Sequence, residues 1–430
     1  LKKVLIITYY WPPSGGPGVQ RALKFVKYLS ESGVQPYVLT VDEAHASYPL
    51  VDVSLLQDIP ANVRVVKTRS FEALKVLSVF TSKKNIPHGG FANRGKESVF
   101  HKLLRFIRGN FFIPDARIGW IRYAVEAATE LIEKEKIGTI LVSTPPHSSQ
   151  LIGLKLKKRF PALRWIADMR DPWTDIYYYK DLLHTGAAAA KDAAYEAQVL
   201  EAADRVISVS EPVNRLFLKK SSRLDPGKFH VIPNGFDEPD FVGDTRPDPG
   251  KFVFTYVGTM SAAYKPRVLF DAIEKLARKH SDVKMELHLV GTHAGAVKEL
   301  IEDSHLSGLT KFIPQVAHAK AVEFMQRSDV LLLVIPDVEN SEGILTGKLF
   351  EYLGSRRPVA ALGPVPGDAG RILAECEAGK LFSRSQPAEL QNYLEGLLER
   401  WKRGEDTSNT NPAYHKYSRK ELTRQLASYL

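Results

Sequence analysis

The chain of 430 residues carries a formal net charge of +10, with 44% hydrophobic and 25% charged residues and a single cysteine, Cys376. Its length predicts two domains with their own cores, and no apolar run is long enough to span a bilayer. One cysteine excludes intrachain disulfides and cysteine-rich zinc sites and suits a reducing cytoplasm, while the basic balance favours an anionic partner, whether nucleotide, phospholipid surface or nucleic acid.

Lys2 and Lys3 followed by Val4-Leu5-Ile6-Ile7-Thr8 have the outline of a signal peptide. The apolar part is short and runs into Trp11-Pro12-Pro13 with no small-residue cleavage site, so it reads as the first core strand. A Gly/Pro-rich segment over 12–18 leads into an amphipathic helix over 20–30, and 34–41 is a second strand. This β-loop-α-β opening starts a parallel, doubly wound sheet, with a ligand expected at the C-terminal ends of the strands. The loop lacks the spacing of the dinucleotide fingerprint and of the P-loop, which leaves close backbone approach to a ligand or a tight turn. Residues 63–68 suggest another strand and 82–96 a mobile loop. Over 100–113, aromatic and aliphatic residues interleave with Lys102, Arg105 and Arg108, as in a helix lying on an anionic membrane surface. The alternative is a helix packed on its own domain with its basic residues in water.

A helix over 124–134 and a strand over 138–143 follow, the strand ending in Thr144-Pro145-Pro146-His147. After a helix over 149–158, the strand starting at 165–167 runs out into Asp168-Met169-Arg170-Asp171-Pro172-Trp173. Two strands thus deliver His147 and the Asp168, Arg170 and Asp171 cluster to neighbouring ends, although Asp168 and Arg170 could equally form a buried ion pair that fixes the loop. Tyr177-Tyr178-Tyr179 suggests an aromatic loop surface. An Ala-rich helix covers 187–203, 204–210 is a strand ending in a helix cap, and 231–237 is a short strand and a turn. Residues 237–251, rich in Asp, Pro and Gly, read as a linker, which sets the domains at 1–236 and 237–411, with 412–430 packing back on the first.

A second β-loop-α-β series begins with a strand over 252–257, a loop over 258–265 and a helix over 267–280. A strand over 284–290 ends at Gly291-Thr292-His293, and a helix over 320–327 and a strand over 330–335 feed the stretch 341–362. That stretch reads as a glycine turn, a helix with Leu349, Phe350 and Leu353 on one face, a stop at Gly354 and a buried strand. Free N–H groups at the helix start bind anions, and Gly343 and Gly347 let a ligand approach the main chain. Glu351, one turn on, can accept hydrogen bonds from sugar hydroxyls or be merely solvated. The expected architecture is α/β: two Rossmann-like doubly wound domains facing an interdomain cleft, with the 341–362 helix at its lip.

Taken together, Pro145-Pro146-His147, Ala167 to Trp173, Pro114-Asp115 to Gly119-Trp120, Val231-Ile232-Pro233-Asn234-Gly235, Val257-Gly258-Thr259 and Lys348-Leu349-Phe350-Glu351-Tyr352 resemble glycosyltransferases of the GT-B fold and family 4 type. The likeness covers nearly the whole chain and points to a bacterial subgroup that assembles polysaccharides. It implies a retaining transfer of a sugar from a nucleotide diphosphate sugar, a co-substrate rather than a cofactor, to a glycan or lipid-linked acceptor. The nucleotide would lie in the C-terminal domain and the acceptor in the N-terminal one.

Glu351 matches the second Glu of the family's Glu, seven residues, Glu motif, which holds the ribose hydroxyls. The first Glu falls at Gly343, a departure from the pattern, with Glu342 next door. Of the basic pair that usually holds the diphosphate, Thr259 stands in the Arg position, while Lys265 approximates the Lys, with Arg267 and Lys348 nearby. The donor set implied is therefore Gly15, Gly16, Gly258, Lys265, Arg267, Gly343, Ile344, Leu345, Thr346, Lys348 and Glu351. His147, Asp171 and Glu342 form the catalytic set, Arg170 and Trp173 the acceptor set. The chain has no Asp-x-Asp, which agrees with a metal-independent enzyme whose cations and helix N-terminus stabilise the leaving phosphate. Front-face attack would leave His147 and Asp171 to position the acceptor. A nucleotide-sugar 2-epimerase on the same fold is the alternative. A nucleic-acid-binding protein is suggested by charge alone, without a recognised motif, and a nicotinamide dehydrogenase lacks the glycine spacing.

Overall fold

The computed structural model describes residues 1–72, 99–243 and 245–430, so the loop expected over 82–96 lies outside the described residues. The chain divides into two compact units, one of residues 1–233 with Arg419–Leu430 and one of Asn234–Ser418.

In the N-terminal unit, β1 (Lys2–Ile7), α1 (Pro17–Leu29), β2 (Val34–Val41) and β3 (Arg64–Thr68) are followed by α2 (Val99–Phe111), α3 (Ile121–Glu135), β4 (Thr139–Ser143) and α4 (Gln150–Arg159). Then come β5 (Arg164–Asp168), α5 (Gly186–Ala202), β6 (Arg205–Ser208), α6 (Glu211–Leu218) and β7 (Phe229–Val231). The strands pair in parallel in the order β3-β2-β1-β4-β5-β6-β7. Successive residues of a strand point to opposite faces, and both faces here are covered, which is why β1 and β4 read as unbroken apolar runs. Leu5, Ile7, Val142 and Trp165 pack under α3, α4 and α5 on one face. Val4, Ile6, Leu141 and Ile166 pack under α1 on the other. The strand order reverses between β1 and β4, so the loops after these two strands flank the place where a doubly wound sheet holds a ligand.

The second unit repeats the plan with β8 (Phe252–Val257), α7 (Arg267–Lys279), β9 (Met285–Val290), α8 (Gly295–Glu302), β10 (Thr310–Ile313), α9 (His318–Gln326) and β11 (Val330–Val334). It is completed by α10 (Gly347–Ser355), β12 (Val359–Leu362), α11 (Asp368–Glu375), β13 (Gly379–Phe382) and α12 (Pro387–Lys402). Its parallel order is β10-β9-β8-β11-β12-β13, with the reversal between β8 and β11. Leu349, Phe350 and Leu353 bury one face of α10 against Leu331 and Leu333, as their spacing predicts. The helix does not stop at Gly354. It continues to Ser355 and ends on Arg356 in the left-handed region. A Cβ on Gly354 would fall 2.6 Å from Phe241, so this glycine serves close packing rather than termination.

The terminal helix α13 (Arg419–Tyr429) returns to the first unit, where Leu422, Leu426 and Leu430 join Val19, Leu23 and Val26 of α1.

Candidate functional site

In the C-terminal unit the chemistry gathers where the strand order reverses. Gly258, directly after β8, has φ +109°, and a Cβ there would fall 2.4 Å from Cε of Lys348. Lys348 is the second residue of α10 and lies across the main chain at Gly258, its Nζ 5.2 Å from the ring centre of Tyr256 and 5.7 Å from that of Tyr264. Among the described residues it makes no ion pair, with Glu351 on the same helix its attractive neighbour. Burial pushes its ammonium down to about 8, partly offset by Glu351. Thr346 occupies the N-cap of α10, yet its hydroxyl is buried with no partner among the described residues and does not cap the helix. Leu349 N–H turns back to the Thr346 carbonyl at 3.2 Å, while the amides of Gly347 and Lys348 have no bond among the described residues and with the ammonium form a site suited to an anion.

The other donor-set residues surround this point in different states. Glu351 is half-buried and its Oε1 lies 3.0 Å from Nε2 of His318, while Oε2 has no hydrogen bond among the described residues. Lys265 is exposed and bound to Asp337 at 2.7 Å, and Arg267 is exposed at the first turn of α7. Glu342 and Gly343 sit in the short 3-10 turn Ser341–Gly343, Glu342 half-buried and Gly343 buried, with Ile344 and Leu345 leading to Thr346. Sequence reasoning missed Arg384, which donates to the carbonyls of Tyr264 at 2.7 Å and Ile335 at 3.0 Å and so ties the loop after β8 to the end of β11. Nothing in its local pattern marks it, because the contact spans more than a hundred residues of chain.

In the N-terminal unit the corresponding reversal brings together the loops after β1, β4 and β5. Gly16 is the N-cap of α1 with φ +93° and open space where a Cβ would be, while Gly15 packs against Leu50 and Asp52. His147 begins the turn into α4 and stacks on Trp173, ring centres 4.9 Å apart and planes 14° apart. Its Nδ1 is buried with no partner among the described residues, and burial holds its pKa below the usual value against the pull of Asp171 and Asp115. Trp173 is fixed in turn by donating Nε1–H to Asp192 at 2.8 Å, and Tyr179 donates to the same carboxylate. Asp192 is pushed up to about 6 by burial. Asp171 carries no hydrogen bond among the described residues. Arg170 donates from Nε to the carbonyl of Thr144 and brings its guanidinium within 3.4 Å of where a Cβ of Gly18 would be.

Asp168 does not pair with Arg170. Its carboxylate is fully buried and accepts from Nε and Nη2 of Arg21 at 2.8–3.1 Å and from Ser143 at 2.7 Å, so it fastens α1 to β4 and β5. Asp115 likewise serves the frame. It accepts from the Ser148 amide at 2.8 Å and hydroxyl at 2.7 Å, capping the turn that carries His147. Helix α2 does not turn all of its basic residues to water. Leu103, Phe106 and Phe111 are exposed, while Arg105 donates to the carbonyl of Asp181 and Arg108 is half-buried, leaving Lys102 in water.

Known proteins share the fold of this chain. A curated D-inositol 3-phosphate glycosyltransferase of Paenarthrobacter aurescens is 23% identical over 216 residues, which cover 47% of this chain and 51% of that protein, so the match spans about half the length of each. Among solved structures, a glycosyltransferase from Rickettsia africae superposes with a TM-score of 0.60 at 14% identity, covering 100% of this chain and 97% of that one. The Anabaena protein HepE, solved in complex with UDP-glucose, superposes with a TM-score of 0.61 at 13% identity, covering 100% and 99%. These likenesses show the GT-B fold. The model of Glycosyltransferase Family 4 matches residues 18–238, just over half of the sequence, and the chain belongs to that family.

Proposed function

We propose that the protein is a retaining, metal-independent hexosyltransferase that moves a sugar from a nucleotide diphosphate sugar to a glycan or lipid-linked acceptor in bacterial surface polysaccharide synthesis. The observation that carries this reading is Lys348: a half-buried ammonium that makes no ion pair among the described residues, set over a positive-φ glycine beside a helix N-terminus without a side-chain cap. Such a group is costly to fold and is explained by an anion that arrives later. In this reading the donor diphosphate lies at the first turn of α10, Oε2 of Glu351 accepts from the ribose hydroxyls, and Glu342 with Gly343 to Leu345 faces the sugar. Lys348 and the helix N-terminus then stabilise the negative charge that develops on the leaving phosphate. In the N-terminal unit, Arg170 and Trp173 hold the acceptor, and His147 and Asp171 orient its hydroxyl for front-face attack.

The test is turnover of nucleotide sugars, beginning with UDP-glucose because the Anabaena relative was solved with it. NMR should show nucleoside diphosphate release and an α-glycoside from the α-linked donor. An inverted product would overturn retention, and an epimer formed without acceptor would favour a 2-epimerase. Failure of every nucleotide sugar tried would overturn the reading.

The roles in the N-terminal unit give a second expected result. His147→Ala and Asp171→Asn should each lower kcat about ten- to hundredfold, the range of a lost positioning hydrogen bond, while leaving the affinity for the nucleoside diphosphate unchanged. Wild-type turnover in both variants would sink the assignment.

We also place the protein peripherally at the cytoplasmic face of the membrane. Among the described residues no helix is long and apolar enough to cross a bilayer, and Leu103, Phe106 and Phe111 form an exposed apolar face on α2. Flotation with vesicles should then fall several-fold on joint substitution of Leu103 and Phe106 by Ser, and barely with salt, since Arg105 and Arg108 turn toward their own unit. Flotation abolished by salt alone would point to a purely electrostatic contact instead.

A further inference from the structure

Outside the residues already assigned, one side chain of the C-terminal unit has the features of a ligand group. His293 follows β9 and is 9% exposed, and its Nε2 is buried with no hydrogen-bond partner among the described residues. An orphaned polar atom in such a position costs roughly 1–3 kcal/mol and needs a reason. The ring is walled edge-on by Tyr256 and Phe312, with centres 6.2 and 6.1 Å away. Tyr256 is also the ring over which the Lys348 ammonium sits.

The backbone places these groups on one surface. A Cβ on Gly291, which has φ +121°, would lie 2.7 Å from the carbonyl oxygen of Gly258, and Met260 pairs with His293 in a parallel bridge. The loops after β8 and β9 are thus in contact, and Lys348 lies over the first of them. The imidazole and the ammonium, both without a hydrogen bond or ion pair among the described residues, therefore lie on the same pair of loops, with Lys348 itself in the first turn of α10.

We propose that His293 is a third ligand of the donor's diphosphate, donating a hydrogen bond from Nε2 to a phosphate oxygen beside Lys348. Burial, reinforced by Lys298 and Lys348, holds the imidazole down to about 4, so it is neutral near pH 7 and contributes one N–H rather than a charge. A second fixed cation so close to Lys348 would repel it before the anion arrived, whereas a neutral donor does not. This arrangement compensates in part for Thr259, which supplies no cation where the family commonly has an Arg, and for Lys265, whose ammonium is already engaged by Asp337. The inference rests on the reading of this unit as a nucleotide diphosphate-sugar site.

The experiment uses the full chain and whichever of UDP, GDP, ADP and TDP raises its Tm most, together with the matching nucleoside. His293→Phe keeps an aromatic wall against Tyr256 and Phe312 but has no donor. His293→Gln keeps an N–H near the Nε2 position. By calorimetry, H293F should weaken the diphosphate about ten- to hundredfold, the range for a hydrogen bond to a charged group. It should leave nucleoside affinity unchanged, and H293Q should recover most of the loss. Diphosphate affinity unchanged in H293F, or an equal loss for the nucleoside, overturns the role of His293 while leaving the donor site standing. No stabilisation of the wild type by any of the four diphosphates overturns the donor site itself and this inference with it.

Discussion

Lys348→Met is expected to cut kcat/KM by about 10²–10³-fold, the usual consequence of removing one preorganised group that faces developing charge, and at the same time to make the protein more stable. The two signs come from one cause. Burial lowers the Lys348 ammonium from 10.5 to about 8, offset only in part by Glu351, and among the described residues no carboxylate is bonded to it. Its folded-state pKa lies below the unfolded value, so between pH 8 and 10.5 the unfolded chain binds more protons and stability rises with pH. The penalty is complete below about pH 8, where it amounts to at most about 3 kcal/mol and to less in so far as water still reaches the side chain. Methionine has a similar length and no charge to desolvate, so the variant should unfold a few degrees higher at neutral pH. The gain should vanish as pH approaches 10.5. A thermal scan across that pH range, run beside initial rates, checks both. Lost activity with lost stability would mean that Lys348 is a packing residue and that the donor reading has lost its main support.

The same residue shows what the sequence could and could not reveal. The two doubly wound units are legible because strands covered on both faces carry unbroken apolar runs, as residues 4–7 of β1, 140–142 of β4, 252–254 of β8 and 330–334 of β11 do. Lys348 was visible as one of several cations near a helix start. Its standing over Lys265 depends on Asp337, which is 72 positions away and takes the Lys265 ammonium. His293 ends a predicted strand, but only its burial and missing partner distinguish it from a surface histidine. In the N-terminal unit, Asp168 and Arg170 sit two apart and invite a mutual pairing. Side chains two apart on an extended chain point the same way, and what decides their partners is the helix above them. That helix supplies Arg21, 147 positions earlier, and takes Asp168 for the frame, which leaves Arg170 turned toward the glycine turn.

Arg21→Met should accordingly be among the most damaging substitutions for stability, costing the N-terminal unit about 3–5 kcal/mol, the usual cost of removing one partner of a buried ion pair. Arg21 is 1% and Asp168 0% exposed. The guanidinium also donates to the carbonyl of Pro233 at 2.8 Å and lies 4.9 Å from the ring centre of Phe25. Without it, the Asp168 carboxylate would keep only the Ser143 hydroxyl and would be buried as an unpaired charge, or would take up a proton. The pair itself need contribute little net stability, since two desolvated charges must be offset before any gain appears. The double variant Arg21→Met with Asp168→Leu should therefore recover most of the loss. Four of the five tryptophans, Trp11, Trp120, Trp165 and Trp173, belong to this unit, so urea unfolding followed by intrinsic fluorescence reports on it directly. Activity separates frame from site more sharply. The double variant should fold yet turn over more slowly than wild type, because α1 begins at Gly16 and its anchorage to β4 and β5 sets where that turn stands. Full recovery of stability with full recovery of turnover would show that the ion pair only fills space. Recovery of stability with a rise in KM for the acceptor would show that a buried charge pair, silent in the energetics, is what aims the glycine turn.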